Sequence, residues 1–169
     1  MRKILALDQA SRITGWAVFE DSKLLEFGKF EATEQDIGER LYEIKGYVKN
    51  LISKYGITEV VFEDIQLQNN VVNNVQTFKV LAEVYGVIDE LLVELQIPHT
   101  SVLASSWKST LSIKGKTRPE QKKNAQLFVQ NTYNVKPTQD ESDAICIGTH
   151  YLLNKTSRVF SDKGMDWSK

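Results

Sequence analysis

One cysteine, Cys146, stands in 169 residues, so no disulfide can close within the chain and folding requires no oxidising compartment. Histidine is nearly as scarce, and neither His99 nor His150 has a Cys or Glu at zinc-ligand spacing, which argues against a zinc centre. No apolar run approaches a membrane span, and Ile4 to Leu7 is too short for a secretory signal, so the expected location is cytoplasmic. The chain also lacks G-x-x-x-x-G-K-[ST], G-x-G-x-x-G and G-x-S-x-G, and with them the phosphate loops and nucleophile elbow of several large enzyme classes. Cys146 lies inside an apolar helical run and reads as packing. With 41% hydrophobic and 25% charged residues, no repeat and no linker, the composition predicts one globular domain over residues 1–154 and a polar, flexible tail over 155–169.

The net charge of -1 conceals an uneven distribution. Residues 1–98 carry 10 Lys and Arg against 16 Asp and Glu, whereas residues 99–169 carry 11 against 6. Lys108, Lys114, Lys116, Arg118, Lys122, Lys123 and Lys136 are accompanied by Glu120 alone. Such a cluster is more often a solvated face, but its arrangement around the loop from Ile113 to Thr117 makes phosphate neutralisation an equal alternative.

Short apolar runs predict strands at Lys3–Asp8, Ile13–Phe19, Lys23–Phe30, Thr58–Glu63 and Pro98–Leu103. Apolar spacings of three and four predict helices from about Thr33 to Tyr55, after Asn70 through Leu95, over Arg118–Thr132 and over Gln139–Leu153. A short helix through Trp107 to Leu111 would be capped by Ser105 or Ser106. The order implies an α/β fold with a mixed sheet of about five strands and helices on both faces. The helix after Asn70 is apolar beyond one sheet contact, since Val71, Val72, Val84, Val87 and Leu91 widen its stripe. Either it is sandwiched within the domain, or it forms a homodimer contact that charge at Leu91 or Val84 should split.

Acids punctuate this pattern. Two apolar strands end in one, at Asp8 and Glu63, where the bland alternative is a buried or turn-capping carboxylate. The last helix opens Thr138-Gln139-Asp140-Glu141-Ser142-Asp143. Thr138 and Glu141 have capping-box spacing, which explains Glu141 without a site. Asp140 and Asp143 share a helix face, and paired like charges ask for a cation. Asp8, Glu63, Asp140 and Asp143 together make an oxygen-only set suited to Mg²⁺ or Mn²⁺ and to two-ion phosphodiester hydrolysis. Trp16 and Trp107 read as packing, though Trp107, next to Lys108, is placed to touch nucleic acid.

The opening K-I-L-A-L-D-Q-A-S-R-I-T-G-W-A-V, the strand E-V-V-F-E-D and the helix P-T-Q-D-E-S-D-A-I-C-I-G-T-H resemble, in order and spacing, the RuvC family of Holliday-junction resolvases from Arg2 to Tyr151. The resemblance implies an RNase H-like fold, a homodimer and Mg²⁺-dependent cutting of branched DNA. It matches the family's four acids to Asp8, Glu63, Asp140 and Asp143 and its two phosphate-contacting lysines to Lys108 and Lys122. Lys114, Lys116, Arg118 and Lys123 extend the expected DNA-binding surface. Bacterial members carry an aromatic residue shortly after the strand-end Glu, where this chain has Gln66-Leu67-Gln68. That departure is similar to the short bacteriophage branch, which implies broader debranching activity, acting in the cytoplasm of a bacterial host. Two other readings are a RuvC-like protein that binds branched DNA without cutting, which loss of an acid would signal, and an actin/hexokinase-like ATPase, which needs a second phosphate loop and about twice the chain.

Overall fold

Ile4-Leu5-Ala6-Leu7 is buried on both faces and forms most of β1 (Lys3–Asp8), the central strand of a five-stranded mixed sheet. The structure is a computed structural model. It describes residues 1–66 and 73–162, with residues 73–74 and 156–162 described by backbone alone. β2 (Ile13–Glu20) and β3 (Lys23–Glu31) continue β1 as an antiparallel meander. β4 (Glu59–Glu63) pairs parallel to β1 on its other side, and β5 (His99–Val102) pairs parallel to β4, giving the order β3-β2-β1-β4-β5. This is the α/β architecture expected.

Strand side chains alternate between two apolar layers. Leu5, Leu7, Val60 and Phe62 pack towards α1 (Ile37–Tyr55) and α2 (Asn73–Glu94). Ile4, Ala6 and Val61 pack towards α3 (Ala104–Thr110), α4 (Arg118–Tyr133) and α5 (Gln139–Asp162). Asp8 and Glu63 have the parity of the second set, so both acids emerge beneath α5.

Local chemistry sets the helix limits. α1 begins at Ile37 instead of near Thr33 because Asp36 is its N-cap, its carboxylate accepting the Glu39 amide N–H at 3.1 Å. Gly56 ends α1 in the left-handed conformation, φ 63°, and donates its N–H to Ile52. Neither Ser105 nor Ser106 caps α3. The helix starts as soon as β5 ends, with Leu103 at the cap and its carbonyl accepting from Ser106 and Trp107. α5 runs on to Asp162, past the expected boundary at Asn154. Its later half is fastened where Tyr151 and Lys155 both donate to Glu59, at the end of β4 opposite Glu63.

Two of the residues that widen the stripe of α2, Val84 and Leu91, are accounted for within one chain. Val84, Ile88, Leu91 and Leu92 are all 0% exposed, buried between the sheet and α1, and Lys45 bridges the two helices to Glu90 and Glu94. Each such aliphatic stabilises the fold by roughly 1.5–3 kcal/mol. Glutamate at Leu91 or Val84 would therefore unfold the chain, not split a dimer, which corrects the expectation for those positions. Val71 and Val72 lie outside the described residues.

Candidate functional site

β1 and β4 pair in register from Ile4↔Glu59 to Leu7↔Phe62, so their next residues, Asp8 and Glu63, stand side by side. Across β1, Asp8 is paired with Gly15 of β2. Gly15 admits the third component, because a Cβ there would lie 2.0 Å from the backbone oxygen of Asp140. Only the missing side chain lets the first turn of α5 settle on the hairpin. That turn is held by the expected capping box, with Thr138 N–H donating to Glu141 Oε2 at 2.6 Å and Glu141 N–H to Thr138 Oγ1 at 3.5 Å. Asp140 and Asp143 then face Asp8 and Glu63 across a cleft of about 500 Å³. Glu141 does not line it.

The four carboxylates ring the cleft without closing on a point. Among the described residues, no three His, Cys, Asp or Glu side chains form a ready-made metal cluster. Burial, then the charges of Glu63 and Asp143, push the Asp8 carboxyl well above its ordinary range. Burial also raises Glu63, against the lowering effect of a hydrogen bond from Trp107. Asp143 is raised by burial despite Lys122, whose Nζ lies 3.3 Å from its Oδ2. Asp143 Oδ1 is buried with no hydrogen-bond partner, a costly condition for a carboxylate oxygen. An orphaned anionic oxygen in a cleft also lined by Asp8, Glu63, Asp64 and Asp140, with no histidine, cysteine or methionine in the lining, fits a hard divalent cation.

Of the expected DNA contacts, Lys108, Lys122 and Arg118 line the cleft. Lys114, Lys116 and Lys123 are exposed outside its lining, on the α3–α4 loop and on α4. That loop is braced by Gln121 Nε2 donating to Gly115 O at 3.0 Å and by Asn124 Nδ2 donating to Lys114 O at 2.6 Å. Lys108 Nζ donates to Gln121 Oε1 at 3.1 Å, so one amide orients both lysine and loop. Glu120, the lone acid of the basic cluster, lies in the first turn of α4 and accepts the Lys116 N–H. Cys146 is fully buried, and its surroundings push the thiol pKa up, which makes it inert.

Three residues with a part in the site escape a reading of the sequence. Gly15 was one glycine in a strand until α5 was placed on it. Gln9 reads as the start of a turn, yet it is 7% exposed and hydrogen-bonded to the Glu63 backbone. Trp107 is packing, as expected, but its indole N–H also reaches Glu63. A buried amide and a buried indole both need partners, which is a signal only after burial is known.

Residues 4–150 match the family model described as Crossover junction endodeoxyribonuclease RuvC. No curated protein sequence matches the chain significantly. Among solved structures, the chain is similar to Thermus thermophilus RuvC in complex with Holliday junction substrate, at TM-score 0.73 and 16% identity over 92% of this chain and 96% of that one. The yeast mitochondrial Holliday junction resolvase Ydc2 aligns at TM-score 0.61 and 14% identity, over 97% of this chain and 85% of that one. The Fowlpox virus resolvase in complex with Holliday junction DNA aligns at TM-score 0.59 and 14% identity, over 90% and 98%. At such identities the structural likeness establishes the fold.

Proposed function

This chain belongs to the RuvC family of crossover junction endodeoxyribonucleases, and we propose that it cuts Holliday junctions and other branched DNA at the cleft between Asp8, Glu63, Asp140 and Asp143. The observation that carries the reading is the meeting of these four carboxylates, with Asp64 beside them, and three cations, Lys108, Lys122 and Arg118, in one cleft. The acids would hold two Mg²⁺ ions, with Mn²⁺ able to substitute. Divalent ions bound there supply an activated water and neutralise charge on the leaving oxygen. The chain's own residues do the rest. Lys108 and Arg118 hold the phosphates flanking the cut, and Lys122 exchanges Asp143 for a phosphate oxygen. Gln66, exposed at the cleft rim, offers no aromatic face for stacking, and Leu67 and Gln68 lie outside the described residues. Recognition would then rest on branch shape and backbone charge, the behaviour expected of a bacteriophage-type member acting in its host's cytoplasm.

A junction presents two equivalent strands, which favours a homodimer. On α2 the face free for a partner carries Val75 and Val93, 60% and 66% exposed, with Gly86 between them. Sedimentation of the wild-type protein reads the stoichiometry. Among the described residues no helix is long and apolar enough to cross a membrane.

The deciding experiment incubates the protein with labelled four-way, three-way and linear DNA, with and without Mg²⁺. Both branched forms should be cut with weak sequence preference. Lys108→Ala and Lys122→Ala should weaken binding to each alike and lower the salt slope by roughly one per lost phosphate contact. Cutting of a single short sequence in four-way junctions alone would refute the debranching reading.

Divalent ions should also raise the melting temperature, in a pH-dependent way. Asp8, Glu63 and Asp143 titrate above their ordinary values, so between those values and the raised ones the folded chain binds more protons than the unfolded chain. This contribution to stability therefore falls as pH rises through that window. Above it the acids are ionised and repelling, and a cation relieves most. At 100 times its dissociation constant an ion adds roughly 2.7 kcal/mol, which at about 2–4 °C per kcal/mol is a shift of roughly 5–10 °C. The shift should shrink as the pH is lowered into the acid range, and a pH-independent shift would point to binding elsewhere.

A further inference from the structure

Glu63 is held at two places by residues outside the four acids. Backbone pairing between β1 and β4 stops at Leu7↔Phe62, because β1 must turn into the hairpin after Asp8. The ladder continues through a side chain. Gln9 Nε2 donates to the Glu63 carbonyl at 2.5 Å, and Gln9 Oε1 accepts the Glu63 N–H at 3.2 Å. An amide, with one donor and one acceptor on a planar group, can replace a strand neighbour in this way. On the carboxylate, Trp107 Nε1 donates to Glu63 Oε2 at 2.9 Å, while the Trp107 ring is 1% exposed and wedged in the apolar layer beneath α5.

The two contacts act against one force. Asp8 and Glu63 repel each other at the open end of two parallel strands, where the backbone pairing between those two strands has ended. We infer that Gln9 and Trp107 are positioning residues, Gln9 fixing the Glu63 backbone beside Asp8 and Trp107 fixing its carboxylate rotamer, so that Oε1 is the oxygen left free for a divalent cation. This rests on the reading of the cleft as a cation site. Both residues line the cleft, and the role argued here is the one each plays through Glu63. A residue bonded to a ligand group in this manner is worth on the order of tenfold to a hundredfold in metal affinity.

The test is calorimetric titration of the full-length protein with MnCl₂. Trp107→Phe keeps the ring and removes the donor, and Gln9→Met keeps the chain length and removes both hydrogen bonds. Each should weaken Mn²⁺ binding about tenfold in the absence of DNA. Cleavage by each should be lost at low Mn²⁺ and recovered at high Mn²⁺, a rescue that a merely loosened core would not give. Val129→Ala, in the same apolar layer but outside the cleft lining, should lower the melting temperature without changing Mn²⁺ affinity. The inference is overturned if the folded variants bind Mn²⁺ like the wild type, or if Val129→Ala weakens binding equally. Should Trp107→Phe fail to fold, Gln9→Met decides the matter. A wild-type protein that binds no Mn²⁺ would overturn the cation-site reading, and this inference with it.

Discussion

Asp143→Asn should abolish strand cleavage while leaving branched-DNA binding intact or tighter. Asp143 is the most committed of the four acids, being 9% exposed, with one oxygen on Lys122 and the other without a partner. Asparagine keeps the volume but loses the charge that would hold a cation, so the rate should fall by orders of magnitude. The amide also releases Lys122, and removing a negative charge beside the phosphates lessens repulsion, so affinity should not fall. Single-turnover cleavage and gel-shift titration of the same preparation separate the effects, and cutting at the wild-type rate would remove Asp143 from the site. Glu141→Gln is the matched contrast. Its carboxylate serves the capping box, which glutamine also satisfies, so activity should persist.

Gly15→Ala should be as damaging by another route. The new methyl would meet the Asp140 carbonyl oxygen at 2.0 Å and its carbon at 2.6 Å. Both are backbone atoms, so the strain cannot be relieved by a rotamer change. Either β2 or the start of α5 must move, at a cost above the roughly 1–3 kcal/mol typical of overpacked cores. The first turn of α5 carries Asp140 and positions Asp143, so cleavage should vanish even where the chain stays folded. Circular dichroism melts alongside a cleavage assay would check this, and an alanine variant with native stability and activity would show that α5 does not need the close approach.

Much of this arrangement was legible in the sequence, for reasons that mark the limits. Asp8 and Glu63 could be placed at strand ends because an apolar run of four or five residues closing on an acid has only one comfortable place in a sheet with both faces covered. Glu141 could be set aside because capping is a local, three-residue relation. Asp36 before Glu39 carries a similar signal at the start of α1, one that the predicted start near Thr33 passed over although the apolar stripe itself begins at Ile37. What stayed hidden depends on contacts distant in sequence. Gly15 meets Asp140, Gln9 meets Glu63, and α1 covers the second side of α2, a cover that the width of its stripe could not distinguish from a partner subunit.

The strand order has a consequence for the timing of synthesis. β1 lies at the centre of the sheet and its acid is made first, but its partner strand β4 arrives some fifty residues later, and Asp140 and Asp143 only when α5 is built. Chains grow from the N-terminus at about 5–20 residues per second, so for several seconds the nascent protein exposes Asp8 and then Glu63 without their counterparts. A chain that stops before α5 carries two carboxylates and the whole basic loop. Such a fragment has the basic residues proposed to contact DNA but lacks two of the four acids. The four acids are thus drawn from stretches more than a hundred residues apart, and the set is complete only once α5 has been added.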